Sequence, residues 1–452
     1  MAGNLTDYLG MNENTAVEKS LTISREHNSI NERLRHWSVL LGKFVSIQLL
    51  VQLLGSLAGL LLVRTLSQRE YAYFTLASTM QATLLLLADV GVSSALSGTG
   101  GQVWQDKQRF SELIATGLYV RKKLAWFGGL VSVPILCWML LSNGTGVIYA
   151  IILTVAVLIG ASFRLTSDVL SVVPRLLGRI DQLQKLDVVS SFFRLAIISA
   201  CCVTFINAAL GIFIASFSFG LQLWLLRRWT KDAVNLKAPV NSTDKRTIIH
   251  VVKQQALTTI GYCFHGQLMI FLISYFGNTH SIAEIGALGR LTAIMSVIGT
   301  VMSNILLPKF ARCQERQKLQ AMWLQITTAF VLLSVFLMLL AQFVPEPMLW
   351  LLGKQYSHAT NDLRYMVLGT VLSTITGALF SLNASRAWME WSWLQVPIGL
   401  GSQIILFHFL DLSTVKGVVL ISSLPVIPGA VIYIFRALRG FREMPDAVSK
   451  QG

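Results

Sequence analysis

The chain has 452 residues, of which 54% are hydrophobic and 13% charged, and its mean hydropathy of +0.60 lies far above that of soluble domains. This composition excludes a soluble globular protein and predicts an all-α polytopic membrane protein. The net charge of +15 does not indicate a nucleic-acid partner, because the basic residues fall in loops, where they meet anionic lipid headgroups.

The predicted elements begin with a polar tail over residues 1–37, which lacks the pattern of a cleavable signal peptide. Because lipid offers the backbone no hydrogen-bond partner, each crossing should be a helix of about 20 residues. The sequence predicts about twelve spans, at 38–63, 71–96, 122–142, 146–165, 187–206, 209–227, 256–277, 284–308, 321–343, 364–383, 392–410 and 416–436.

The distribution of basic residues predicts the orientation of these spans. With the N-terminus inside, the outer loops hold few basic residues, namely Arg64, Arg69, Lys354, Arg364 and Lys416. Since cytoplasmic loops are enriched in Lys and Arg, both termini are predicted to be cytoplasmic.

The polar segment 228–255 divides the predicted spans into two sets of six. It contains Pro239 and Asn241, residue types that are typical of loops. We therefore predict a cytoplasmic linker at 228–255 between six-helix bundles at 38–227 and 256–437. A short cytoplasmic tail at 438–452 follows.

Four segments resemble a known family. Residues 66–74 read LSQREYAYF and residues 87–96 read LADVGVSSAL, while the second half contains EIG at 284–286 and LPKFAR at 307–312. They resemble the polysaccharide and O-antigen flippases of the multidrug, oligosaccharidyl-lipid and polysaccharide exporter superfamily. Ala72 replaces the usual glycine, and residues 264–268 read FHGQL where many relatives carry an aspartate, which leaves a coupling role for that carboxylate in doubt.

The resemblance implies a transporter with two six-helix bundles around a central cavity in the bacterial cytoplasmic membrane. Its implied cargo is an undecaprenyl-diphosphate-linked oligosaccharide, delivered to the outer leaflet for surface polysaccharide assembly. Membrane lipid and a polysaccharide polymerase or other assembly protein would be its partners. No enzymatic activity or cofactor is expected, and coupling to an ion gradient is left open.

Polar stripes on two spans are candidates for lining a cavity. Gln48 and Gln52 share one face of the first span, and the seventh span carries Gln255, Tyr262, His265 and, close by, Gln267. Small and polar residues also join helices within membranes, so cavity lining and helix packing both remain open.

Charged residues within spans give sharper candidates. Arg290 lies about six residues into the eighth span, where an arginine costs roughly 2.5–3.5 kcal/mol. It could grip a diphosphate bidentately, or it could extend to the outer headgroups. Arg194, in the fifth span, is the second binding candidate. Asp89 is expected to form a structural salt bridge or to help close an inner gate.

Two rival functions are weaker. A membrane-embedded polymerase would need acidic or histidine residues on a substantial loop, but Glu346, His358 and Asp362 show no recognisable spacing. A cation-coupled drug exporter would need carboxylates within the first bundle, where Asp89 is the candidate. The five cysteines have no metal-ligand spacing, so no metal site or structural disulfide is expected.

Overall fold

The computed structural model describes residues 46–204, 206–292, 306–313, 315–386 and 388–444, together with Gly299 and Met302. All the regular elements in these ranges are helices. The described residues from 50 onward form one compact unit, while the described part of the other unit, 46–49, is helical.

The first bundle contains seven described helices. They are α1 (Ser46–Thr65), α2 (Gln68–Asp89), α3 (Val92–Val103), α4 (Lys107–Ser142), α5 (Val147–Leu176), α6 (Ile180–Thr204) and α7 (Ala208–Thr230). Helix α3 is a short segment that follows Gly91, whose φ of 77° allows the turn after α2. The other six cross between the two ends of the bundle.

The second bundle is built from more and shorter pieces in the described ranges. Its helices are α8 (Ser242–Phe276), α9 (Thr279–Thr292), α10 (Leu307–Arg312), α11 (Arg316–Phe343), α12 (Pro345–Leu352), α13 (Thr360–Ser385), α14 (Gln395–Phe407), α15 (Val415–Ser423) and α16 (Val426–Glu443). In the described ranges, eight helical segments are long and apolar enough to span a membrane. The predicted all-α fold with about twelve crossings is confirmed.

Several helices extend beyond the predicted spans at the inner end. Asn241 caps α8 by accepting a hydrogen bond from the Thr243 amide at 3.0 Å, so residues 242–255 are helical and the connection is only 231–241. Likewise α4 begins at Lys107 and α5 continues to Leu176. Hydropathy detects the stretch that contacts lipid, and these helices continue past it as polar turns.

The apolar core changes along the length of the molecule. In the predicted outer half, one cluster combines residues of both bundles, including Leu62, Phe74 and Leu288. In the predicted inner half, the described residues form two separate clusters, one around Leu113 and the other around Phe330. The bundles therefore share a core at the predicted outer half. At the inner half the start of α8 packs into the cluster of the first bundle through Ile248, while the cluster around Phe330 is separate.

Large apolar side chains also cover the outside of the molecule. Helix α11 exposes Leu332, Phe336 and Phe343 by 64%, 55% and 76%. Apolar surface on this scale is unfavourable in water and suits a helix surrounded by lipid.

Candidate functional site

Arg290 of α9 lies where the two bundles meet. Its Nε donates a hydrogen bond to the Tyr71 hydroxyl of α2 at 3.2 Å, and its guanidinium carbon lies 5.8 Å from the ring centre of Phe74. The side chain also packs over Gly59 of α1, where an added Cβ would lie 3.2 Å from the guanidinium. Tyr71 in turn donates to the Gly286 carbonyl at 3.2 Å. These contacts hold an arginine of the second bundle against the first.

Arg194 of α6 brings a second cation to the same region. It is half-buried, and Leu195 and Leu291, the residues that follow the two arginines, pack against the same core cluster. Within the described residues, neither side chain forms an ion pair with a carboxylate. Two like charges repel strongly where the dielectric constant is low, so this region favours an anion.

The polar stripes are described only in part. Gln48 lies in the first turn of α1, Gln52 lies one turn later and is half-buried, and Gln267 is half-buried in α8. Three more candidates lie on α8 but their side chains are outside the described residues: Gln255, Tyr262 and His265. The geometry of the candidate site therefore comes from the two arginines.

Asp89 belongs to an ion-pair cluster at the predicted inner end. Its Oδ1 accepts a hydrogen bond from the Ser93 hydroxyl at 2.7 Å and lies 3.6 Å from a guanidinium nitrogen of Arg121. Arg121 also contacts Asp168 at 3.2 Å, and Asp168 contacts Arg164 at 3.0 Å. Asp168 was not singled out from the sequence, although its spacing of four residues from Arg164 on one helix was a usable signal.

A second group of residues, which we call the outer clasp, joins the bundles at the predicted outer end. It comprises Arg64, Gln68, His280 and Gln355. Arg64 donates to the carbonyls of Trp350 at 2.6 Å and Leu351 at 2.9 Å. Gln68 donates to the Gln355 carbonyl at 2.9 Å and contacts His280, and Gln355 donates to the Val63 carbonyl at 2.7 Å. The bundles are thus held together at this end.

Glu284 and His358 form a contact that the sequence did not predict. The buried Glu284 carboxylate lies 2.6 Å from the His358 Nε2 atom. Tyr356, fully buried nearby, has a pKa raised by burial, with Tyr71 and Glu284 adding to the shift. Its hydroxyl therefore stays protonated. Glu284 and His358 are separated by 74 residues, so spacing alone could not reveal the pair.

Comparison with known proteins gives similarity at the level of fold. No family model and no curated protein matches the sequence. A multidrug resistance MATE family transporter of the MOP superfamily, in an inward-facing conformation, matches with a TM-score of 0.67 and 15% identity, over 87% of this chain and 96% of that one. The lipid II flippase MurJ, in an inward closed conformation, matches with a TM-score of 0.66 and 15% identity, over 90% of each chain.

A eukaryotic MATE transporter is also similar, with a TM-score of 0.58 and 12% identity, over 90% of this chain and 99% of that one. The chain therefore shares its fold with these membrane transporters. These neighbours include both drug transporters and a lipid flippase, and none is an enzyme by its description.

Proposed function

We propose that this protein moves a lipid-linked oligosaccharide, carried on undecaprenyl diphosphate, across the bacterial cytoplasmic membrane for surface polysaccharide assembly. The observation that supports this function is the pair formed by Arg194 and Arg290, which has no carboxylate partner among the described residues. A diphosphate presents several anionic oxygens, and a guanidinium can bind two of them at once.

The cargo needs such a protein because its headgroup is strongly polar. Each sugar hydroxyl costs roughly 1–3 kcal/mol when it is buried without a hydrogen-bond partner, and an unpaired phosphate charge costs far more. A fixed pair of cations would compensate the diphosphate within the membrane. The polyprenyl chain would meanwhile stay in the bilayer.

The positions of the two arginines suggest how binding is linked to movement. Arg194 belongs to the first bundle and Arg290 to the second, so a bound diphosphate would contact both. The outer clasp joins the bundles at one end. At the other end α8 stays joined to the first bundle through Ile248 and the Arg109–Asp244 ion pair, while the remaining described core of the second bundle is separate. We infer that cargo enters from the predicted inner side, and that its release requires the bundles to separate at the clasp.

A cation-coupled drug exporter is the main alternative, and the shared fold supports it equally. The charges of the described residues favour the anionic cargo. Asp89 and Asp168 already contact Arg121, whereas Arg194 and Arg290 have no carboxylate partner in the described ranges. A cationic drug would therefore meet arginines rather than free carboxylates at the contact between the bundles.

The test is surface-polysaccharide display in cells that lack the protein. These cells are complemented with wild type, Arg194→Ala, Arg290→Ala or Arg290→Lys at matched membrane levels. Deletion should abolish display, and the lipid-linked precursor should accumulate on the cytoplasmic side of the membrane. Each alanine variant should lower display about tenfold or more, because a charge-assisted hydrogen bond contributes roughly 1.5–3 kcal/mol. The lysine variant should rescue partially, since it keeps the charge without the planar fork.

Arg179→Ala is the matched control. Arg179 is exposed at the predicted inner end, so the Arg179→Ala variant should restore full display. Normal display in the deletion strain, with no precursor accumulated, would contradict the proposed cargo. Efflux of small cationic dyes from the same strain would then test the drug-export alternative.

A further inference from the structure

The second bundle contains a cavity of about 570 Å³. None of the binding residues predicted from the sequence is among its lining residues. Its walls come from α8, α13, α14, α15 and α16. The volume falls within the range of roughly 300–1,000 Å³ that is usual for small-molecule sites. A cavity of this size can accommodate part of a cargo headgroup.

The α13 wall presents a stripe of small and hydroxylated residues. Thr370, Ser373, Thr374 and Gly377 recur at the spacing of one helical face. The two threonine hydroxyls donate to the carbonyls of Met366 and Thr370 at 2.8 and 2.7 Å, which leaves their oxygen lone pairs free to accept. The Ser373 hydroxyl is exposed and has no hydrogen-bond partner among the described residues, so it can both donate and accept.

The opposite walls add an amide, further hydroxyls and aromatic rings. Gln395 accepts a hydrogen bond from the Tyr433 hydroxyl through its Oε1 atom, which leaves its NH₂ group as a donor. Phe380 and Tyr433 pack edge to face, with ring centres 5.6 Å apart. Ser422 and Ser423 complete the polar part of the wall.

The cavity wall carries no charged side chain among the described residues that line it. A charged ligand would lose its hydration there without gaining a counter-charge, which is strongly unfavourable. The wall is mostly apolar, with scattered donors and acceptors beside aromatic rings, and this suits a neutral ligand that has both apolar ring faces and hydroxyl groups. Uncharged sugar residues have this chemistry.

The cavity begins next to the arginine that we assign to the diphosphate. Met366, one of its lining residues, places its terminal methyl 3.7 Å from the position that a Cβ would occupy on Gly289. Gly289 directly precedes Arg290. A sugar attached to a diphosphate at Arg290 would therefore lie near this cavity.

We propose that this cavity binds the uncharged sugar residues of the cargo, while Arg194 and Arg290 bind its diphosphate. The proposal rests on the function proposed above and divides the cargo between two subsites. It predicts that sugar-free and sugar-bearing lipids differ in affinity, and that filling the cavity removes this difference.

The experiment measures equilibrium binding to the purified full-length protein in lipid nanodiscs. The two probes are undecaprenyl diphosphate and the undecaprenyl-diphosphate-linked oligosaccharide extracted from the deletion strain. Wild type should bind the oligosaccharide-bearing lipid about tenfold more tightly, the change expected for one or two additional hydrogen bonds. Arg290→Ala should weaken the binding of both probes.

Gly377→Leu tests the cavity directly. An added Cβ at Gly377 meets no atom within 4 Å, and Gly377 lines the cavity, so a leucine there should occupy part of it. This variant should bring the affinity ratio of the two lipids close to one while leaving the affinity for undecaprenyl diphosphate unchanged. Ser373→Ala, which removes one unpaired hydroxyl, should lower the ratio by a smaller factor. Gly129→Leu in α4 is the matched control, because its added Cβ also meets no atom within 4 Å.

The possible outcomes separate the two proposals. If wild type does not bind undecaprenyl diphosphate, the proposed function fails. If it binds both lipids with equal affinity, or if Gly377→Leu leaves the ratio unchanged, the function stands and the cavity proposal is overturned. Equal weakening of both lipids by Gly377→Leu would assign the cavity to the polyprenyl chain and would also overturn the proposal.

Discussion

Tyr71 is the residue whose hydroxyl connects Arg290 to the rest of the molecule. It is 1% exposed, accepts from Arg290 and donates to the Gly286 carbonyl. Tyr71→Phe removes both hydrogen bonds while keeping the ring. We expect a loss of about 1–3 kcal/mol in stability, because two polar groups are left without partners. Reduced polysaccharide display should accompany this loss, since Arg290 loses the bond that orients it.

The measurement is thermal unfolding of the purified protein in detergent, together with display in cells. Tyr365→Phe is the control, because the Tyr365 hydroxyl is half-buried and has no hydrogen-bond partner in the described part of the chain. Equal changes in both variants would show that loss of the Tyr71 hydroxyl has no specific effect.

Two residues of the segment 66–74, which resembles known flippases, stabilise the fold through hydrogen bonds. Ser67 caps α2 by accepting from the Glu70 amide at 3.3 Å. Glu70 accepts from the Tyr149 hydroxyl at 2.6 Å and from the Ala208 amide at 2.7 Å, and so ties α2 to α5 and α7. The cap was readable from local sequence. Partners that lie 79 and 138 residues away were not, because they depend on how the helices pack.

At the scale of helices, Arg121 is the point where α2, α4 and α5 are tied together. Its side chain is 3% exposed and contacts Asp89 and Asp168. Arg121→Ala should destabilise the protein by about 2 kcal/mol, less than the roughly 3–5 kcal/mol of fully buried pairs. The expected loss of stability is smaller than for a fully buried pair because the Asp89 and Asp168 side chains are 37% and 30% exposed.

Lys122→Ala is the neighbouring control, since Lys122 is exposed on the same turn and surface changes usually stay within about 0.5 kcal/mol. Both variants are compared by thermal unfolding in detergent. An Arg121→Ala protein as stable as Lys122→Ala would contradict a structural role for the cluster.

Hydropathy predicted the existence of these helices better than their ends. The apolar parts of α4, α5 and α8 were recognised because contact with lipid demands them. Their inner turns were missed because polar residues there meet water or the neighbouring bundle while the backbone stays helical. Asn241 is an example, because its side chain caps α8 within a segment that reads as a linker by composition.

At the scale of the whole molecule, the outer clasp should open during transport. In a cysteine-free background, Gln68→Cys and His280→Cys would place two thiols where these side chains now touch. Cross-linking them with a short bifunctional thiol reagent should abolish translocation, and cleaving the linker should restore it. The measurement is translocation of the oligosaccharide lipid in proteoliposomes before and after cleavage of the linker.

Each single-cysteine protein treated with the same reagent is the control and should remain active. Undiminished translocation by the cross-linked double variant would show that the bundles need not separate at this end. The fold with about twelve crossings was predictable from hydropathy. The clasp was not, because most of its hydrogen bonds join a side chain of one bundle to the main chain of the other, and its one side-chain pair, Gln68 and His280, is separated by 212 residues.

Because most clasp hydrogen bonds are accepted by main-chain carbonyls, the donor residues and the acceptor residues should be conserved to different degrees. Arg64 and Gln68 bond the carbonyl groups of Trp350, Leu351 and Gln355, and every residue type offers such a carbonyl. The donor residues should therefore vary little among relatives. The side chain at 351 can change without breaking its bond, whereas the Trp350 ring also contacts Arg64, with its centre 4.6 Å from the guanidinium carbon. Correlated substitutions are not expected for the bonds to the carbonyls of Leu351 and Gln355, so these parts of the contact between the two bundles would leave little trace in pairwise covariation.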